Sequence, residues 1–291
     1  MSGSLFKFWN NRFSTFGNLA FAAFLIAIFS GIPLAIGYSV NHPADSIQVL
    51  LLTDARSVFF RSLHYWSGQL FLLFTFIHVI EHLSTNSERN LKKGLWIRLV
   101  LALLFSVFVM LSGFILKADV EGKMALQIFS GLLGIVPLVG DYLRITILGP
   151  ADNLNLIYIH HLITTTVVIG FVIIEHMRRA WPELLAYIYL LGFSMSLAVL
   201  IPQGLQLITT AKIRGPWYFI GLQEILHWIP NPLIVVGMLT GCLVFFLFLV
   251  WLSPVKSQQA KKLLLAILLL YGVLTVNNWG FRDASWNSLF F

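Results

Sequence analysis

Four of the eight histidines in this 291-residue chain repeat at a spacing that could hold a metal, whereas the one cysteine, Cys242, lies alone in an apolar run. His64 and His78 are 14 residues apart. At about 100° and 1.5 Å per residue, that is about 40° short of four helical turns, so one face carries both at a rise of about 21 Å. His161 and His176 are 15 apart, about 60° past four turns and again near one face, whereas His160 falls opposite His176. Ionisable side chains inside apolar stretches are costly and mark function. Two parallel helices, each with two imidazoles at matched depth, would make two stacked bis-imidazole sites. A haem iron with both axial positions filled passes electrons and leaves no open position for oxygen. His82 is 18 residues from His64, a rise of about 27 Å, which takes it to the headgroup region. His42 and His227 stand near helix ends and read as interfacial.

Two further features fit a flat ring between helices. Glycine lets a planar group approach a backbone, and Gly17 and Gly31 are also 14 apart, with Gly113 on a third apolar stretch. Arg61 lies one turn outside His64, and Arg178 and Arg179 lie just inside His176. These arginines suit haem propionates, and equally suit snorkelling at a membrane surface.

The elements that must position these residues are membrane helices. The chain is 58% hydrophobic with 11% charged residues, and its mean hydropathy is +0.85. That excludes a soluble enzyme, a disordered tail and a disulfide scaffold. The net charge of +7 is too sparse for nucleic-acid binding, and no catalytic nucleophile or phosphate loop is present. The 42 aromatic residues suit interfacial belts. Crossing a bilayer takes about 20 apolar residues. Seven helices are expected, at 19–40, 58–83, 95–117, 156–178, 183–202, 226–252 and 262–280. Stretch 124–140 is uncharged but short and rich in Gly and Pro, and reads as surface or re-entrant. The polar N-terminus lacks a cleavable leader pattern, so the first apolar stretch reads as a retained helix. With seven spans, the N-terminal side carries Lys7, Arg12, Arg89, Lys92, Lys93, Arg98, Arg178, Arg179, Lys256, Lys261 and Lys262 against Glu81, Glu88, Glu175 and Glu183. The other side is balanced. The positive-inside rule then puts the N-terminus in the cytoplasm and the C-terminus in the periplasm. The expected architecture is an all-α integral membrane protein of the cytoplasmic (inner) membrane: a four-helix bundle over 1–180 and three helices over 181–291.

The chain resembles the cytochrome b subunit of Rieske/cytochrome b quinol oxidoreductases over almost its whole length. RSLHYWSG at 61–68, His78 fourteen residues beyond His64, and the 161/176 spacing are most similar to the chloroplast-type protein. VPLVG at 136–140 resembles that family's loop between its third and fourth helices. AWPELL at 180–185 and PWYFIGLQEILHWIP at 216–230 resemble the separate three-helix subunit and its quinol-site motif, here fused to the four-helix part. The resemblance implies a diheme four-helix bundle binding two non-covalent haem b groups, with ligand pairs His64–His161 outside and His78–His176 inside. It implies an outer quinol-oxidation site near Trp217 and Tyr218 and an inner quinone-reduction site. It also implies membership of a multi-subunit, often dimeric, complex that contains a Rieske iron–sulfur protein or a c-type cytochrome.

The chain also departs from that pattern. The family motif Pro-Glu-Trp-Tyr is replaced by Arg214-Gly215-Pro216-Trp217-Tyr218, which removes the glutamate that would take a quinol proton. Glu224, two turns further on, is the expected substitute. Thr15 stands where a chloroplast-type protein has a cysteine, so no covalently attached haem is expected. Leu99, 14 before Gly113, occupies the place of a fourth glycine, and the link over 203–214 is short. Three functions compete: the electron-transfer subunit of a quinol-oxidising complex, a diheme anchor joining the quinone pool to a periplasmic multihaem cytochrome or reductase, and a transporter whose histidines relay protons.

Overall fold

The computed structural model describes residues 15–150, 154–177, 184–208 and 213–281. Among these residues the secondary structure is helical. Helices α1 (Thr15–Gly37), α2 (Pro43–Thr53), α3 (Ala55–Ser84), α4 (Lys93–Leu116), α5 (Val120–Gly134) and α6 (Gly140–Leu148) come first. Helix α7 (Asn155–Ile159) runs through a π turn at His160–Thr164 into α8 (Thr165–Met177). Then follow α9 (Leu184–Leu200), α10 (Trp217–Trp228), α11 (Pro232–Phe248) and α12 (Pro254–Phe281). Among the described residues, six stretches are long and apolar enough to cross a membrane: Phe16–Gly37, Ala55–Ser84, Lys93–Leu116, Asn155–His176, Pro232–Trp251 and Pro254–Phe281. The remaining expected span is Leu184–Leu200, a shorter apolar helix of 17 residues, at the lower limit for a crossing. The short stretch at 124–140 lies in α5, whose 15 residues fall below that limit, and in the turn after it.

Two expected boundaries are corrected. The predicted helix 226–252 is broken, because α10 ends at Trp228 and α11 begins at Pro232. Pro230 has no N–H to donate and pushes Ile229 off helical geometry. Asn231 then caps the new helix through Oδ1, which accepts from the Leu233 N–H at 3.0 Å, with Pro232 at the first position. The last helix begins at Pro254, well before the expected 262, so Lys256, Lys261 and Lys262 lie in its opening turns.

The chain forms two compact units, Met1–Met110 with Thr165–Gly204 and Leu111–Thr164 with Leu205–Phe291. In the first unit α1 packs along α3, and α9 lies against both. Ala22 and Ala23 are fully buried. Small side chains let two helix backbones close up where lipid offers no hydrophobic drive. Phe24 and Phe71 pack with ring centroids 5.1 Å apart, and Leu70, Ile169 and Leu190 complete this core. Arg98 on α4 donates twice to the carboxylate of Glu175 on α8, at 2.8 and 2.5 Å. The stretch after α9 is held to α3 by three bonds: Trp66 Nε1 to the Ile201 carbonyl (2.9 Å), the Gln203 N–H to Ser62 Oγ (2.9 Å), and Arg61 Nη2 to the Gly204 carbonyl (2.8 Å).

In the second unit α5 packs on α6 and α10 on α12. Leu222, Leu226 and Val235 form the buried centre, with Ile128, Leu132, Phe219 and Tyr271 against it. The Tyr271 hydroxyl donates to the Tyr218 carbonyl at 2.5 Å. Asp119 caps α5 by accepting from the Gly122 N–H at 2.9 Å, and its other oxygen accepts from the Gln206 N–H at 3.0 Å.

Candidate functional site

Helix α3 brings His78 and His82 onto one cluster with His176 of α8. The His78 and His176 ring centroids are 6.2 Å apart, His82 and His176 are 6.3 Å apart, and His78 and His82 are 4.4 Å apart. One ring nitrogen from each of the three lies within 4.8 Å of the others. Nδ1 of His176 is buried with no hydrogen-bond partner. Metal–imidazole bonds are about 2 Å, so an iron ligated from both sides sets the two centroids about 6 Å apart. The spacing of His78 and His176, and the unmet buried nitrogen, fit a metal-centred group between them. Gly17 on α1 is the floor of the cluster: a Cβ there would stand 2.8 Å from His78 Cε1. His82, in the last turn of α3, packs its ring edge-on against His78, and its Nδ1 pairs with Ser87 Oγ. Its position four residues after His78 puts it one turn on along the same face.

His64 lies elsewhere in the first unit. Its Nδ1 is 2.8 Å from the Ala27 carbonyl, which can only accept. Nδ1 therefore carries the proton and Nε2 is the basic nitrogen. A Cβ on Gly31 would stand 3.0 Å from His64 Cε1. His161 belongs to the second unit and sits in the π turn, a helix irregularity common at functional sites. Ser112 Oγ is 3.1 Å from its Nδ1, and a Cβ on Gly113 would stand 2.7 Å from its Cε1. Each expected glycine thus backs one expected histidine: Gly17 with His78, Gly31 with His64, Gly113 with His161. Arg61 is engaged with the Gly204 carbonyl, and Arg178 lies outside the described residues.

The second unit holds an apolar cavity between α5 and the segment 213–226. Met124, Ile128, Phe129 and Phe219 line it, together with three polar side chains, Glu121, Arg214 and Gln223. Among its described lining residues, Trp217, Tyr218 and Glu224 are not included. Tyr218 is buried and packs edge-on against Trp217 at 5.6 Å. Glu224 is fully buried, and its carboxylate accepts from Trp228 Nε1 (2.6 Å), Asn277 Nδ2 (2.9 Å) and Asn278 Nδ2 (2.9 Å). It therefore ties α10 to α12. Glu121 and Arg214 were missed as site residues because α5 and the segment before α10 are some ninety residues apart, and no local pattern joins them.

Residues 2–179 match the family model described as Cytochrome b/b6/petB, and residues 203–281 match that described as Cytochrome b(C-terminal)/b6/petD. The chain belongs to the cytochrome b/b6 family. It is 28% identical over 170 residues to cytochrome b6 of Heliobacterium mobile, covering 56% of this chain and 80% of that one. It is 27% identical over 171 residues to cytochrome b6 of Heliobacterium modesticaldum, with the same two shares. Its fold is similar to that of a chain solved as "Hyperthermophilic respiratory Complex III", with a TM-score of 0.68, 16% identity, and 92% and 91% of the two chains covered. A cytochrome b of this kind is a multi-pass membrane protein that binds haem b and serves electron transfer as a subunit of a quinol oxidoreductase. The four-helix and three-helix parts of the cytochrome b/b6 family stand here on one polypeptide.

Proposed function

We propose that this cytochrome b passes electrons from quinol across the membrane through two non-covalent haem b groups, held by His64 with His161 and by His78 with His176. The observation that carries this reading is the 6.2 Å separation of the His78 and His176 rings over Gly17. When bound, haem supplies one-electron redox chemistry that the helices lack. The chain's own groups fix the ligands. The Ala27 carbonyl holds Nδ1 of His64 and the Ser112 hydroxyl holds Nδ1 of His161, so coordination falls to Nε2, and such outer bonds set ring orientation. Arg61 and Arg178 are assigned to propionates. Residues 1–180 form the diheme part and 181–291 the quinol-site part, with the N-terminus in the cytoplasm and the C-terminus in the periplasm. The apolar cavity beside α10 is read as the quinol-oxidation site, with Gly215 and Pro216 in its wall and Trp217 and Tyr218 directly after them. Partners are a Rieske iron–sulfur protein or a c-type cytochrome, in a multi-subunit and dimeric assembly.

The test is a dithionite-reduced minus oxidised spectrum of the purified protein with haem counted per chain. Two b-type haems are expected, and His176→Leu should remove one. A folded, colourless preparation would overturn the reading and favour a proton-relay transporter. A second reading, the diheme anchor for a periplasmic multihaem cytochrome or reductase, is favoured by Pro216 where the family has its glutamate. The partner that co-purifies with the native complex decides between them.

A further inference from the structure

The cavity beside α10 is apolar except for Glu121, Arg214 and Gln223, and an apolar slot with a few convergent polar groups is suited to a flat ring bearing two oxygens. Gln223 is committed to the backbone, its Oε1 accepting from the Gly215 N–H at 3.2 Å. Arg214 donates from Nη2 to the Trp279 carbonyl at 2.7 Å, while its Nε is buried with no hydrogen-bond partner. Arg214 thus brings to the cavity wall a buried N–H that no protein group meets. Glu121, in the first turn of α5, is the one acidic residue among the described residues that line the cavity. Its carboxylate is 2.7 Å from Lys117 Nζ and its side chain is 27% exposed, so the group has both a wall in the cavity and a way to water. Lys117 is held in turn by the fully buried Asp119 at 3.1 Å. Glu224 has the opposite character: no lining position, no exposure and three N–H donors on its carboxylate.

We propose that Glu121, and not Glu224, takes the proton from quinol in this cavity, and that Arg214 Nε–H donates to the ring oxygen. This rests on reading the cavity as the quinol-oxidation site. Oxidation of a quinol to a quinone releases two electrons and two protons. The electrons leave one at a time to the one-electron carriers of the complex. One O–H bond breaks as its proton moves to a Glu121 oxygen, giving a carboxyl group that later loses the proton to water on its exposed side. The second proton leaves with the second electron, and Glu121 has by then been emptied. The Lys117 ammonium, 2.7 Å away, fixes the carboxylate in place.

The experiment uses the intact complex in native membranes with duroquinol as donor, following haem reduction and steady-state turnover from acid to neutral pH. Wild type should slow in acid, as expected of any carboxylate that accepts the quinol proton. Glu121→Gln should lower turnover at least tenfold, flatten that acid limb and leave the haem content unchanged. Glu121→Asp keeps a carboxylate and should retain the limb with a smaller loss. Equal loss in both variants, or unchanged turnover in Glu121→Gln, overturns the proposal. So does transfer of the tenfold loss and the lost limb to Glu224→Gln. Ala125→Trp fills the cavity and separates the two readings. If it leaves turnover intact, the cavity is not the quinol site and the underlying reading fails. If it stops turnover while Glu121→Gln does not, Glu121 alone is wrong.

Discussion

At the scale of single residues, the glycines are the sharpest probes. Gly17, Gly31 and Gly113 each sit where a Cβ would come within 3.0 Å of a histidine ring, a distance real side chains do not tolerate. Gly17→Val should displace His78 and remove one haem, and Gly113→Val should do the same through His161, while Gly192→Val, with open space around its Cβ, should keep both. Pyridine haemochrome per chain checks all three. Glu224 gives a different kind of prediction. Glu224→Leu strands three N–H donors in the interior, at about 1–3 kcal/mol each. The expected result is a markedly lower midpoint for thermal loss of the second unit's structure, by circular dichroism. An unchanged midpoint would mean that water replaces the carboxylate at no cost.

At the scale of elements, the π turn reconciles two spacings. His64 and His78 are 14 apart, and His161 and His176 are 15 apart. A turn closed by i→i+5 bonds takes up one residue more than an α turn, so fifteen residues on this helix correspond to fourteen on a regular one. Deleting Ile163, an exposed residue within the turn, should therefore convert it to an ordinary α turn and keep both haems. Deleting Ile169 from the regular part should rotate His176 by about 100° and lose one; haem content and the reduced spectrum read both outcomes. Helix α5 depends on its cap. Asp119→Ala should cost about 0.5–2 kcal/mol through the lost Gly122 bond, and should release Gln206 as well, which faster exchange of its amide would report.

At the scale of the whole molecule, most helices and the histidine repeat were legible in the sequence, because hydropathy over twenty residues and a repeat of fourteen are strong, local signals. It hid what depends on a single backbone group or a distant neighbour. The run over 226–252 is apolar throughout, so the missing N–H of Pro230 and the cap at Asn231 were submerged in it. The place of His82 beside His78 and His176 depends on a second helix, which spacing along one helix does not reveal. The cavity joining Glu121 to Arg214 has no local signature at all. Orientation is testable at this scale. With Cys242 replaced, single cysteines at Ser87 and at Asp141 should react with a membrane-impermeant maleimide from opposite sides, Ser87 only in inverted vesicles. The reverse pattern would overturn the cytoplasmic N-terminus.

Glu224 also bears on how the chain is made. Its helix is synthesised while Asn277 and Asn278, 53 and 54 residues further along, have yet to follow. Until α12 arrives, the Glu224 carboxylate lacks the two amide donors that α12 supplies. A chain truncated before α12 should therefore be less stable than the full chain, as its faster loss in a protease time course would report. Helix α12 thus completes the donors that the Glu224 carboxylate meets from Asn277 and Asn278.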